Sequence, residues 1–189
     1  MQLSAKIHLL CNAHLDPIWL WAKNEGIAEA ISTFRVAADF CEKYDNFIFN
    51  HNESVLYEWV EENEPELFKR IQKLVKAGKW HIMGGWYVQP DCNIPSGEGF
   101  VRQIETGLTY FKEKFGARPT TAVNFDSFGH TQGLVQILSV FIDTLLVCSA
   151  TAFMCMASGG ILGVGAGEGW MKNVFAADSD MVIATIGEE

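Results

Sequence analysis

Residues 120–140, TTAVNFDSFGHTQGLVQILSV, hold a β-rich run, a polar loop and an apolar-periodic stretch in immediate succession. This pattern predicts a strand over 120–125, a loop through 124–130 and a helix over 132–140. Working back toward the N-terminus, the same rhythm recurs. Residues 6–11 (KIHLLC) read as a strand, and Ile27, Ala30, Ile31, Phe34, Ala38 and Cys41 mark one face of a helix at spacings of three and four. Residues 46–49 (NFIF) read as a second strand. A helix from Ser54, interrupted near Pro65, continues through Leu67, Ile71, Leu74 and Val75 to a stop at Gly78. Residues 80–83 give a third strand. Ser96 then caps a helix whose core face is Phe100, Ile104, Leu108 and Phe111, ending before Gly116. Strand and helix alternating at this spacing predict an α/β domain with right-handed crossovers and a mostly parallel sheet.

Composition agrees with a packed domain, since 49% of the 189 residues are apolar and 20% are charged. The net charge of −9 argues against a nucleic-acid partner, which needs a basic surface to displace counterions. Five cysteines, at 11, 41, 92, 148 and 155, form no CxxC pair and suit reduced thiols in a cytoplasmic protein. Lys6 interrupts the first apolar run, so the N-terminus reads as a strand rather than a secretion signal.

The chain divides near residue 138. Residues 1–138 carry 13 basic and 17 acidic side chains, against one and six in residues 139–189. Residues 144–167, TLLVCSATAFMCMASGGILGVGAG, hold no charge and place Gly159, Gly163 and Gly167 four apart. Twenty-four uncharged residues meet the length of a membrane span. The many small and hydroxylated residues and the missing basic flanks argue against one.

In parallel α/β folds, sites gather where strands run into loops. Three polar loops qualify, at 12–17, 84–95 and 124–130. His14 and Asp16, two apart, can aim an imidazole and a carboxylate at one point, which suits a divalent metal, zinc above all. Taken alone, the pair reads first as a polar turn in which Asp16 accepts backbone N–H bonds ahead of Pro17. Asp126, at the end of another strand, supplies either a third ligand or the N-cap of the next helix. His8 and His81 read as strand-wall residues, His51 as part of a loop after the second strand, and His130 as a packing or hydrogen-bonding group. Trp59 and Trp80 read as core.

AHLDPIWLW (13–21), GGWYVQPDCNIPSGE (84–98), VRQ (101–103) and NFDSFGH (124–130) together resemble the N-terminal catalytic domain of family 38 glycoside hydrolases, the retaining α-mannosidases. The resemblance spans about residues 5–138. It implies a βα-barrel-like domain, incomplete in this chain, a zinc cofactor and a mannose-containing oligosaccharide or glycoside as substrate. It also implies that His14, Asp16 and Asp126 bind zinc, that Asp126 is the catalytic nucleophile, and that Trp19 and Phe128 wall the sugar. Asp91, placed in the 86–95 loop, reads on its own position as a further sugar contact. A homo-oligomer is the expectation for the full-length enzyme, and a membrane partner is not. In the family the general acid and a last zinc-ligand His lie further along than this chain reaches, and Ser149 stands where an active-site Arg is expected. The fragment alone is therefore expected to be inactive. The alternatives are a non-catalytic metal- or mannoside-binding remnant and a metal-dependent deacetylase.

Overall fold

The computed structural model describes residues 12–126, 129–141 and 144–147. The chain runs α1 (Lys23–Lys43), β1 (Phe49–Glu53), α2 (Ser54–Asn63), α3 (Pro65–Lys76), β2 (Trp80–Trp86), α4 (Gly97–Phe115), β3 (Thr121–Asn124), α5 (Gln132–Phe141) and β4 (Thr144–Val147). The strand expected over 6–11 lies outside the described residues. β1 pairs with β2 and β3 with β4, both parallel, so the α/β reading with parallel crossovers holds. β3 packs beside β2, and the Trp86 indole N–H donates to the Val123 carbonyl at 2.9 Å, joining the two pairs.

Local chemistry sets the helix ends. The Glu25 carboxylate reaches back to the Ala22 N–H at 2.6 Å to start α1, and Ser96 Oγ accepts the Gly99 N–H at 3.2 Å to start α4. Pro65 opens α3 at a position where no backbone donor is needed, which explains the break between α2 and α3. Gly116 ends α4 in the left-handed region at φ 65°.

The α1 face is turned slightly from the expected one. Gly26 and Ala37 join Ala30, Phe34, Ala38 and Cys41 in the interior, while Ile27 and Ile31 are only partly buried. Small residues let the helix lie close to its neighbours. Phe34 is fully buried and meets Phe49, His51, Tyr57 and Trp80 edge-on or tilted, with ring centroids 4.9–6.5 Å apart. A second cluster, with Trp86, Phe100, Ile104, Ala122, Leu134 and Leu138, joins residues of β2, α4, β3 and α5.

Two expectations need correction. The second strand is Phe49–Glu53, not 46–49, and His51 therefore sits inside a strand, completely buried, rather than in a loop. The sequence FNHNE lacks apolar alternation, and each of its polar side chains instead meets at least one tertiary hydrogen-bond partner. Residues 144–147 form β4, in register Thr121↔Thr144 through Asn124↔Val147, where no strand was expected. Among the described residues no helix is long and apolar enough to cross a membrane.

Helix α4 approaches β2 through Gly107, where a Cβ would overlap the Gly85 carbonyl and the Trp86 backbone. Backbone cannot step aside as a flexible side chain can. Gly107→Ala should thus lower stability by about 1–3 kcal/mol, reversing the usual helix preference for alanine. Gly133→Ala, in α5 with open space at its Cβ position, should be neutral or stabilising. Urea denaturation of the two variants checks the contrast.

Candidate functional site

Two chain segments meet at one point. The loop after residue 11 carries His14 and Asp16, and the loop after β3 carries Asp126. His14 Nε2 lies 3.4 Å from Asp16 Oδ1 and 3.8 Å from Asp126 Oδ2. One ligand atom from each of the three lies within 4.8 Å of the others. Both nitrogens of His14 are shielded from solvent without a hydrogen-bond partner. Among the described residues neither carboxylate has a Lys or Arg partner, and both remain partly exposed. Two carboxylates and an unpartnered imidazole in so small a space form a donor set for a divalent cation, with nitrogen and oxygen ligation of the kind zinc accepts. The residues present fit such an ion.

The backbone around this point is unusual. Asp126 has φ 45° and is the one non-glycine residue in the left-handed region among those described. Gly26 of α1 packs so tightly on the Pro17 carbonyl that a Cβ there would overlap it, which brings the His14–Asp16 loop down onto the helix.

Beneath the loop, β1 supplies a buried polar row. His51 Nε2–H donates to the Ala13 carbonyl at 2.9 Å, and its Nδ1 accepts the Asn52 N–H at 3.1 Å, which fixes a neutral tautomer. Burial, opposed by the Ala13 bond, pushes the His51 pKa down to about 4. The Trp80 indole donates to Tyr57 Oη at 2.9 Å, and Tyr57 Oη–H donates to the His51 carbonyl at 3.2 Å. A continuous chain of bonds therefore runs from the aromatic core to the residue preceding His14. Glu53 is 1% exposed, and burial, with a smaller contribution from Asp16, pushes its pKa up to about 8. Its Oε1 accepts the Gln89 N–H at 2.9 Å.

The expected sugar contacts fare differently. Trp19 is 68% exposed, and its ring stands edge-on to Trp21, whose N–H donates to the Asp16 carbonyl at 3.2 Å. It is therefore an open aromatic face tied to the loop that carries two of the three converging groups. Asp91 is exposed and uses Oδ1 to accept the Asn93 N–H at 2.7 Å, a bond within its own loop, and it does not join the converging group. Phe128 lies outside the described residues, as does His8. His81 is exposed on β2, and Nε2 of His130 is buried without a partner. Trp59 and Trp80 are core residues.

Sequence reading passed over Asn52, Glu53, Gln89 and Gln103. Gln103 of α4 accepts the Val88 N–H through Oε1 and the Tyr87 N–H through its carbonyl, at 2.9 and 3.0 Å, pinning the strand end to the helix. The VRQ motif holds this glutamine, so its position was visible even though its structural role was not.

Residues 4–143 match the family described as glycosyl hydrolases family 38 N-terminal domain. Alpha-mannosidase G of Dictyostelium discoideum is 33% identical over 127 residues, a stretch covering 67% of this chain and 12% of that protein. The chain thus spans about an eighth of that relative's length. An alpha-mannosidase structure from Enterococcus faecalis V583 superposes with a TM-score of 0.65 at 23% identity, covering 73% of this chain and 16% of that one, a likeness of fold. Residues 116–185 also match the sodium:alanine symporter family. Over 52 residues the chain is 48% identical to a Bacillus subtilis (strain 168) protein named for sodium/proton-dependent alanine transport, covering 28% of this chain and 8% of that protein. The first match takes in most of the chain and every motif that builds the converging site, and on that ground the chain belongs to glycosyl hydrolase family 38, of whose N-terminal domain it carries a part.

Proposed function

We propose that this chain carries the metal-binding and nucleophile-bearing part of a zinc-dependent retaining α-mannosidase site, with His14, Asp16 and Asp126 as the zinc ligands. The observation that supports this is the convergence of those three side chains from segments more than a hundred residues apart, with both nitrogens of His14 unpartnered. When bound, zinc supplies Lewis-acid hold on sugar hydroxyls. The chain's own residues do the remaining work. Asp126, on its partly exposed left-handed corner, presents a carboxylate to the anomeric carbon of a mannoside, as the nucleophile of a retaining glycosidase must. Trp19 offers a flat apolar surface to the sugar C–H face.

Retaining hydrolysis also needs a second carboxyl group to protonate the leaving oxygen. Asp16 and Asp126 are both committed to the cation, so the pair gathered here cannot supply that proton. The 189-residue chain therefore binds zinc, and an aryl α-mannoside stays intact in its presence. Calorimetric titration of zinc should give one ion per chain, with no release of aryl alcohol above background. A chain that takes up no zinc would falsify this reading, and turnover would show that a proton donor is present after all.

A second reading concerns residues 148–185, behind β4, and is favoured by the carrier match over 116–185 together with the uncharged run 144–167. That part has the composition of a transporter segment joined behind the glycosidase portion. On this reading the full chain partitions into the detergent phase on Triton X-114 cloud-point separation, whereas a chain cut after residue 147, which keeps β4, remains in the aqueous phase.

A further inference from the structure

The geometry points to Gln89 as the positioning residue for Asp126, acting through the backbone of Phe125 and braced from β1. Gln89 follows β2 in the loop of the PDCNIPSGE motif and has no place in the reaction proposed above. Its side-chain amide meets both backbone groups of Phe125. Oε1 accepts the Phe125 N–H at 2.7 Å, and Nε2 donates to the Phe125 carbonyl. This is a two-point grip on the peptide units either side of one residue. That residue immediately precedes Asp126.

The grip has a reason in the backbone. Asp126 stands at φ 45°, a region that costs an L-residue of this kind about 1 kcal/mol or more and persists only where the surroundings over-determine it. β3 ends at Asn124, and Phe125 is the first residue past the strand. Gln89 takes over where β3 stops. Its own position is fixed from behind, since its N–H donates to Glu53 Oε1 at 2.9 Å and its Oε1 also accepts from Asn52 Nδ2 at 3.3 Å. Asn52 and Glu53 are each 1% exposed and close β1, the strand whose His51 ring holds the Ala13 carbonyl beside His14. The two halves of the converging site are therefore locked to one rigid strand end, one through His51 and the other through Gln89.

The inference rests on the metal reading, so its test has one arm that needs no metal. Gln89→Met keeps the side chain's length and removes both bonds, whereas Gln89→Glu keeps an acceptor for the Phe125 N–H. In the metal-free full chain, amide hydrogen exchange at Phe125 should quicken at least about tenfold in Q89M and stay slow in Q89E, following the fate of the bond from its N–H to the side chain at 89. Cobalt(II) chloride is the probe for the second arm. Removing a group that orients a ligand costs about 10–100-fold in metal affinity, so Q89M should bind cobalt that much more weakly, with a changed visible spectrum. In the Asp126→Asn background the same Gln89→Met change should cost nothing more, because its effect passes through Asp126.

Unchanged Phe125 exchange in Q89M overturns the proposal. So does cobalt affinity that falls equally in the presence and absence of the Asp126 carboxylate, or that does not fall at all while the parent chain binds. A parent chain that binds no cobalt sinks the metal reading, and the exchange arm then decides the role of Gln89 alone. If Q89M fails to fold, slow exchange at Phe125 in Q89E but not in Gln89→Ala carries the test.

Discussion

Replacing His14 by alanine should lower zinc affinity by more than a hundredfold, while replacing His81 by alanine should leave it unchanged. Loss of a group that merely orients a ligand already costs about 10–100-fold, and His14 is the group toward which both carboxylates converge. Without the imidazole, the two carboxylates remain as a partly exposed anionic pair. Such a pair separates zinc less well from calcium or magnesium, because the nitrogen donor has gone and only oxygen is left. The preference between zinc and magnesium should therefore narrow as well as the affinity fall. His81 is the control, since it is an exposed imidazole on β2 and lies outside the converging group. Competition with a colorimetric chelator measures both variants. Equal affinity in H14A and the parent chain would place the ion elsewhere.

The second large effect is on stability and comes from Glu53. Its carboxyl is fully buried with a pKa pushed up to about 8, so the folded chain keeps a proton there that the unfolded chain loses above the ordinary value near 4.5. Where the folded state binds more protons, stability falls as pH rises, and it does so here from about 4.5 to about 8. Each unit of separation between the two values is worth about 1.4 kcal/mol, so the loss amounts to several kcal/mol. His51 acts in the opposite sense. Its pKa is lowered to about 4 from 6.5, so the unfolded chain takes up a proton the folded chain refuses, and stability rises with pH across that window. The two trends oppose one another from 4.5 to 6.5. Above 6.5 only the Glu53 decline remains. Glu53→Gln keeps an acceptor for the Gln89 N–H and has no proton to lose, so it should abolish that decline and be the more stable chain at pH 8. Urea denaturation at pH 5.5, 6.5 and 8 decides it, and parallel curves for the two proteins would mean that Glu53 is ionised in the folded state.

Glu53 and His51 also show why part of the site was not legible in the sequence. The segment FNHNE carries no apolar alternation, and a periodicity argument passes it by in favour of NFIF just before it. Its side chains are buried because each has a tertiary partner: Ala13 for His51, Gln89 for Asn52 and Glu53, and Asn12 for Asn50. Those partners lie 36–38 residues away, out of reach of any local pattern. Gln89 was hidden for the same reason, since nothing in the order Val-Gln-Pro-Asp says that the amide will grip the peptide units of Phe125. Asp91, two positions on, has the more suggestive side chain and uses it on its own loop.

By itself the sequence determined the helices and the strands at 80 and 120, because apolar spacing, Ser96, Pro65 and Gly116 act within a few residues of where they stand, but not the extent of β1 or the existence of β4. The ordered motifs also carried the resemblance to the family, and it is that resemblance, beyond residue type and spacing, that singled out the three candidate ligands. Tertiary structure alone decided that His14, Asp16 and Asp126 come within ligand distance of one another, that α1 turns its smaller residues inward, and that a strand of polar residues forms the floor of the site. Distances between side chains far apart in the chain depend on how strands pair and helices cross. Burying an imidazole or a carboxyl is tolerable only when those pairings bring a partner to it.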